Sequence, residues 1–371
     1  MRQARYYTPS YANLDRTLSR LGDQLRIVHF LNPTNLRREK VRFFASLKRG
    51  QPYNPQFHYP PIPLRVEKVR ETLRRMRVPT NNGVGRIFEM KRVRLLERVS
   101  FLAARGSLRS LPFGYLLYGA PSHKLFRYAA GQLEILKKTK EHAAPILSSP
   151  IAARILGQAL KRYGLAHWRV QEKKNLAARA GISGKRNTLF IREGSEFSRS
   201  DINRLIVHEI ETHIFRVENG RLQPFSLFAH GFPGPETTEE GLAIWNELRI
   251  NPPGVERQRI IFARTLAVAC ARKGSFLEVF KRLVSYRLRP DSAWEICVRV
   301  KRGLKNTGTH GAFTKDYHYL KGYLEVENYQ KKGGDLTKLY VGKINVAHVA
   351  LLPHFPSLVP PRYLPPRLDL F

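Results

Sequence analysis

The sequence predicts an α+β fold, mostly helical with a minor sheet, and three observations predict it. Long stretches with helical apolar periodicity are bounded by capping residues, glycine and proline. Only two short runs alternate like strands, His167-Trp-Arg-Val-Gln-Glu172 and Asn187-Thr-Leu-Phe-Ile-Arg192, with a third expected over 177–182. No repeat of solenoid period is visible, so the helices must pack into a globular body.

In chain order, residues 10–31 read as a helix stopped by Asn32-Pro33, and Asn35 can cap a second one running to Lys48 before Gly50. Residues 51–63 carry too many prolines for a helix and read as an extended strap packed by its aromatics. Basic helices come next near 64–76, 84–105 and 123–138, then one over 149–163 ended by Gly164. Three more are expected near 255–273, 276–287 and 292–303, two of them opened by the capping boxes Ser275/Glu278 and Ser292/Glu295. A last helix spans Lys315 to Lys332 before Gly333-Gly334, and the proline-rich tail from Pro353 is expected to lie extended.

Composition sets outer bounds. A chain of 371 residues with 42% apolar content can bury a large core and is not disordered. Its formal charge of +36 favours acidic partners: nucleic acid, an anionic surface or acidic peptides. Cys270 and Cys297 lack paired spacing and sit in apolar helical contexts, which suggests reduced core residues. No apolar run reaches the ~18 residues needed to span a membrane, and the N-terminus lacks an apolar signal region. An intracellular, cytoplasmic location is therefore expected.

The stretch that carries chemistry is Asp201 to Arg216. Ser198 and Asp201 form a capping box, and Ile202, Leu205, Ile206, Ile210 and Ile214 make an apolar stripe with Gly220 placed to end the helix. Within it stand His208, Glu209 and His213. Imidazoles suit zinc, and the carboxylate beside one of them can take a proton from a metal-bound water. The usual zincin spacing is His-Glu-x-x-His on one helix face. Here one residue is added, and an i, i+5 pair on a regular α-helix lies roughly 140° apart, too far round for one ion. A π-bulge would absorb the extra residue. A second helix is expected to open at the Thr237/Glu240 capping box and to close at Pro252-Pro253, and Glu239 or Glu240 could complete a three-ligand set.

The His-Glu-x-x-x-His run, Arg216-x-x-Asn-Gly220, Gln223-Pro224 and Thr238-Glu-Glu-Gly-Leu-Ala243 together resemble the tyrosine carboxypeptidase family. That family includes the microtubule-associated tyrosine carboxypeptidases and a bacterial branch with a Gln-Glu-Gly-Leu-Ala motif. Leu31-Asn-Pro-Thr-Asn35, Asn54-Pro-Gln-Phe-His-Tyr59, Gly311-Ala-Phe-Thr-Lys-Asp316, Tyr319-Leu-Lys-Gly322 and Tyr340-Val-Gly-Lys343 extend the likeness from about Leu25 to Leu352. The resemblance implies Zn2+ bound by His208, His213 and Glu240, with Glu209 as base. Glu240 is chosen over Glu239 because the bacterial motif keeps only the second carboxylate. Relatives usually have glycine where this chain has Glu211.

The same resemblance implies a zincin-like metallocarboxypeptidase that removes a C-terminal tyrosine or phenylalanine from peptides or protein tails, and the basic charge favours acidic ones. A region 1–140 would carry the strap, 141–352 the catalytic centre and 353–371 the tail. An exopeptidase must hold a terminal carboxylate; Arg216 is the first candidate, then Lys315 and Lys321. Tyr319, Tyr323 and His230 are candidate oxyanion donors, Tyr319 being placed with the substrate-binding group. The alternatives are a non-catalytic basic protein binding nucleic acid or another anion, for which no nucleic-acid motif appears, and an endopeptidase with the same zinc.

Overall fold

In the computed structural model, which describes residues 9–25, 27–139, 146–174, 176, 178–250, 253–355, 357–366 and 368, seven helices come first: α1 (Pro9–Gln24), α2 (Ile27–Phe30), α3 (Leu36–Lys48), α4 (Arg65–Arg75), α5 (Gly83–Ala103), α6 (Leu111–Tyr118) and α7 (His123–Lys137). The mixed segment is next: β1 (Ile146–Ser148), α8 (Ser149–Arg162), β2 (Arg169–Lys173), β3 (Ala180–Ser183), β4 (Thr188–Arg192) and β5 (Glu196–Ser198). Then come α9 (Arg199–Leu205), a π-helix (Ile206–Ile214), α10 (Phe215–Arg221), α11 (Leu227–His230) and α12 (Glu236–Ile250). The chain ends with α13 (Val255–Ala271), α14 (Phe276–Ser285), α15 (Pro290–Val300), α16 (His318–Lys331) and short 3-10 turns. The α+β class is thus observed, with helices dominant.

The chain divides into two compact units, each assembled from separated segments. One comprises 1–15, 141–254 and 322–371; the other comprises 16–140 and 255–321. This differs from the sequential division expected: the boundary near 140 recurs, but 255–321 groups with the helices before 140 rather than with the motif helix.

In the first unit β2, β4 and β3 form a mixed sheet in that order. β2 runs parallel to β4 (Val170 opposite Leu189) and β3 antiparallel to it (Ile182 opposite Leu189). β1 and β5 make a separate antiparallel pair. The core joins Leu156, Leu189, Phe197, Ile202, Ile210, Ile214, Leu242 and Trp245, all almost fully enclosed.

In the second unit Phe43, Phe57, Phe276, Phe280 and Trp294 make an aromatic core. The strap is extended, as expected. It is pinned by Asn35, whose amide donates to the Gln56 carbonyl at 2.8 Å and accepts from His58 N–H at 3.0 Å. Asn35 therefore holds the strap and makes no side-chain cap on α3.

Several boundaries shift for local reasons. The expected first helix breaks near Leu25, leaving α1 and α2. Gly220 ends nothing: α10 runs through it to Arg221, and a Cβ there would strike the Phe228 carbonyl. α12 starts ahead of Thr237, because Glu239 N–H reaches back to the Pro235 carbonyl (2.9 Å). α15 starts at Pro290, whose fixed φ suits a first turn, so Ser292 is no cap. Gly50, Gly164 and Gly333 do close helices with φ of 68°, 71° and 78°.

Candidate metal centre

The motif helix opens as its sequence dictates. Ser198 Oγ accepts from Asp201 N–H at 3.0 Å, and the Asp201 carboxylate accepts from Ser198 N–H at 3.1 Å. After about two turns the backbone switches to π-helix over Ile206–Ile214. The expected single bulge is thus a nine-residue segment. Its i to i+5 bonding brings residue i+5 above residue i, so the rings of His208 and His213 meet edge to face with centroids 4.9 Å apart. Thr212 supports the wide turn: its hydroxyl donates to the Val207 carbonyl at 2.9 Å and accepts from Asn246 Nδ2 at 2.8 Å.

α12 brings Glu240 against both rings. Its Oε2 lies 3.9 Å from His208 Nε2 and 3.9 Å from His213 Nε2. Ligand atoms of these three side chains lie within 4.8 Å of one another, and they are the one such group among the described residues. Zinc–ligand bonds of about 2.0–2.2 Å at tetrahedral angles put ligand atoms about 3.3–3.6 Å apart, so the two Glu240 distances need to close by a few tenths of an ångström, and any wider pair by about 1.5 Å at most, to seat the ion. Two imidazoles and a carboxylate are also the donor types zinc takes.

The outer nitrogens point to the same conclusion. His208 Nδ1 lies 2.5 Å from Glu247 Oε1, and His213 Nδ1 lies 2.8 Å from Glu239 Oε1. A carboxylate on Nδ1 leaves the lone pair on Nε2, which is the tautomer a metal needs. Burial alone would lower the His213 pKa, but its bond to Glu239 and the charges of Glu239, Glu209 and Glu240 outweigh it and raise the value. The centre is an anionic pocket around two imidazoles. Glu209 is 7% exposed within it, and no side-chain hydrogen bond engages its carboxylate among the described residues.

Arg216 does not have the role expected of it. It is fully buried; Nε donates to the carbonyls of Leu339 (2.9 Å) and Gly342 (3.0 Å), Nη2 to Ile344, and Nη1 to Glu239. Each of its three nitrogens is engaged and the side chain is fully buried, so it braces Glu239 and is not placed to meet a substrate carboxylate. Burial would raise the Glu239 pKa, but Lys343, Arg216 and His213 hold it well below the usual carboxylate range. Glu239 therefore orients the His213 ring, while Glu240 Oε2 faces Nε2 of both imidazoles. Sequence reasoning missed Glu247, although its spacing of seven from Glu240 is two helical turns and puts both on one face of α12. Glu211 accepts a hydrogen bond from the Tyr163 hydroxyl.

Two glycines set the depth of Glu240. A Cβ added at Gly241 would fall on the Gly322 backbone, and one at Gly322 would fall on the Thr237 carbonyl. α12 at Thr237 and Gly241 and α16 at Gly322 therefore cross at backbone contact, which only glycine permits. Among the other candidates, Tyr323 donates to Glu327 at 2.9 Å, and His230 closes α11. Lys315, Tyr319 and Lys321 belong to the other unit. There Lys315 Nζ stands 5.7 Å from the Tyr319 ring centroid and Lys321 Nζ 5.9 Å from that of Tyr317.

A sequence model of the family described as microtubule-associated tyrosine carboxypeptidase matches residues 41–371. The chain belongs to that family. Microtubule-associated tyrosine carboxypeptidase 1 of Homo sapiens is 28% identical over 332 residues, 87% of this chain and 61% of that protein. Its Mus musculus counterpart is 28% identical over 303 residues, 80% of this chain and 55% of that protein. MATCAP2 of Mus musculus is 27% identical over 316 residues, 84% of this chain and 52% of that protein. The chain thus spans roughly half to three-fifths of these curated relatives. No helix among the described residues is long and apolar enough to cross a membrane.

Proposed function

We propose that this chain is a zinc-dependent, zincin-like metallocarboxypeptidase that hydrolyses the last peptide bond before a C-terminal tyrosine or phenylalanine. The observation that carries this reading is the convergence of His208 Nε2 and His213 Nε2 on Glu240 Oε2 at 3.9 Å each, with both Nδ1 atoms held by other carboxylates. Family membership supplies the substrate class, since the relatives are named tyrosine carboxypeptidases.

Zinc held by His208, His213 and Glu240 would supply a Lewis acid that eases ionisation of water and polarises the scissile carbonyl. Glu209 follows the first histidine directly and accepts the proton of the attacking water, then passes it to the departing amine. Glu247 and Glu239 hold the two imidazoles in one tautomer, and Arg216 and Lys343 fix Glu239 in turn. The surplus of 36 positive charges would draw acidic tails toward the enzyme, a long-range attraction that fades as salt rises. Cytoplasmic protein tails fit this reading as substrates.

The test pairs metal analysis with hydrolysis. Purified protein should carry about one equivalent of zinc, lost in His208→Ala and His213→Ala. Glu209→Gln should keep the metal and lose at least ~10²-fold in kcat, because it removes a base and no ligand. Full zinc occupancy in both histidine variants would sink the assignment. Equal cleavage of amidated and free-acid peptides would make the chain an endopeptidase.

A further inference from the structure

The second unit holds a cluster of opposite sign, in which Arg302, Asp316 and Tyr319 are buried and Arg257, Arg264, Arg299 and Lys315 are half-buried. Arg257 and Arg264 stand two turns apart on α13; Arg299 and Arg302 flank the end of α15; Lys315 and Asp316 precede α16, which carries Tyr319. The guanidinium of Arg264 lies over the Tyr319 ring with Cζ 3.9 Å from the centroid, and Arg299 approaches the same ring at 5.8 Å. Arg299 grips Asp316 through Nε and, at 2.8 Å, through Nη2, which also reaches the Tyr319 hydroxyl at 3.3 Å. Asp316 is the one carboxylate among these groups, against four arginines and a lysine.

Its two oxygens are taken by Arg299, which leaves Arg264 and Arg302 without a carboxylate bonded to them. Nε and Nη1 of Arg264 are enclosed without a hydrogen-bond partner among the described residues, and so is Nε of Arg302. Burial, and then the charge of Arg299, push the Arg302 pKa down to about 10; burial also lowers that of Arg264, and Arg299 and Arg257 lower it further. Enclosed, unpaired guanidinium N–H groups are costly to a folded protein unless an anion satisfies them. Planar guanidiniums are the donors best matched to carboxylate oxygens, and the Arg299–Asp316 pair already makes that match within the cluster.

We propose that Arg264, stacked on Tyr319 and flanked by Arg257, Arg302 and Lys315, is a binding site for a carboxylate of a peptide ligand. The ligand class rests on the peptidase reading above; the carboxylate is either the peptide's C-terminus or an acidic side chain.

Calorimetric titration of the full, zinc-supplemented chain carrying Glu209→Gln measures binding without turnover. Three probes separate the sources: N-acetyl-Ala-Ala-Tyr as free acid, the same peptide as C-terminal amide, and N-acetyl-Ala-Glu-Tyr amide. The free acid or the glutamate peptide should bind more tightly than the neutral amide, and Arg264→Met should weaken that peptide about 30-fold or more. Dependence confined to the free acid assigns the terminal carboxylate; dependence confined to the glutamate peptide assigns the side chain. Arg264→Lys, which keeps the charge without the planar donors, should fall between. In the peptide-free protein Arg264→Met should raise Tm, because it relieves an uncompensated cation; a structural arginine would give the opposite shift. Equal binding of all three peptides, or wild-type affinity in Arg264→Met and Arg264→Lys, overturns the proposal. Hydrolysis by the unmodified chain is measured separately, so failure of the zinc chemistry leaves this result readable.

Discussion

The two units bury charge in opposite ways. Around His208 and His213 the carboxylates Glu209, Glu239, Glu240 and Glu247 exceed the cations, and both outer imidazole nitrogens are paired. Around Tyr319 the cations exceed the carboxylates, and guanidinium nitrogens of Arg264 and Arg302 are enclosed without partners among the described residues. In the first cluster each imidazole is oriented by a second carboxylate, as the proposed zinc site requires. In the second a ring lies beneath the Arg264 guanidinium, as the proposed carboxylate site requires. The difference to be tested is between paired outer groups and orphaned inner ones.

The contrast can be broken at its backbone, at its counter-charges and at its outer groups. The largest effect is expected from Gly322→Ala, which forces α12 and α16 apart. Urea unfolding should show a loss of roughly 4 kcal/mol or more, with zinc stoichiometry falling as Glu240 retreats. Unchanged stability would mean that the close crossing does not set the position of Glu240.

Asp316→Asn comes next. It leaves Arg299 buried without its counter-ion and should cost ~3 kcal/mol by the same measurement. The companion pH effect is smaller. Burial would raise the Asp316 pKa, but the charge and hydrogen bonds of Arg299, helped by Arg264 and Lys315, hold it at about 2 against an ordinary 3.8. Its ~2 kcal/mol of stabilisation is thus complete above about pH 4 and fades as pH falls toward 2. Acid unfolding of Asp316→Asn should lack that slope; an identical acid profile would contradict the ion pair.

The smallest effect probes the outer groups of the acidic cluster. Glu247→Gln should keep the fold and weaken zinc about 10–100-fold, measured by chelator competition. Unchanged affinity would show that the Glu247 contact does not orient His208.

The helices that carry His208, His213 and Glu240 were legible in the sequence because their signals are local. The Ser198/Asp201 box, the His208–His213 spacing and the Thr238–Ala243 run each lie within a few residues, and the extra residue in the motif already required a widened helix. The extent of the π-helix was not legible, since Thr212 and Asn246 stabilise it across 34 residues. Nor was the role of Arg216, whose acceptors lie 123 to 128 residues away. With 65 basic residues to choose among, spacing alone pointed to the arginine three positions after His213, and the stacking of Arg264 on Tyr319, 55 residues on, arises only from packing.

The tie between Arg216 and the carbonyls of Leu339, Gly342 and Ile344 also fixes an order of events during synthesis. The helices that carry His208, His213 and Glu240 are complete once Ile250 has left the ribosome, but the brace on Glu239 waits for the segment near Ile344. Between them the whole run 255–321 must be made, and that run belongs to the other unit. The acidic centre is therefore the later of the two to close on a growing chain, a high-contact-order step taken after its neighbour's helices have emerged. Stalled chains in which residues up to about 335 have emerged from the exit tunnel should already protect α13–α15 from protease while leaving α9–α12 open.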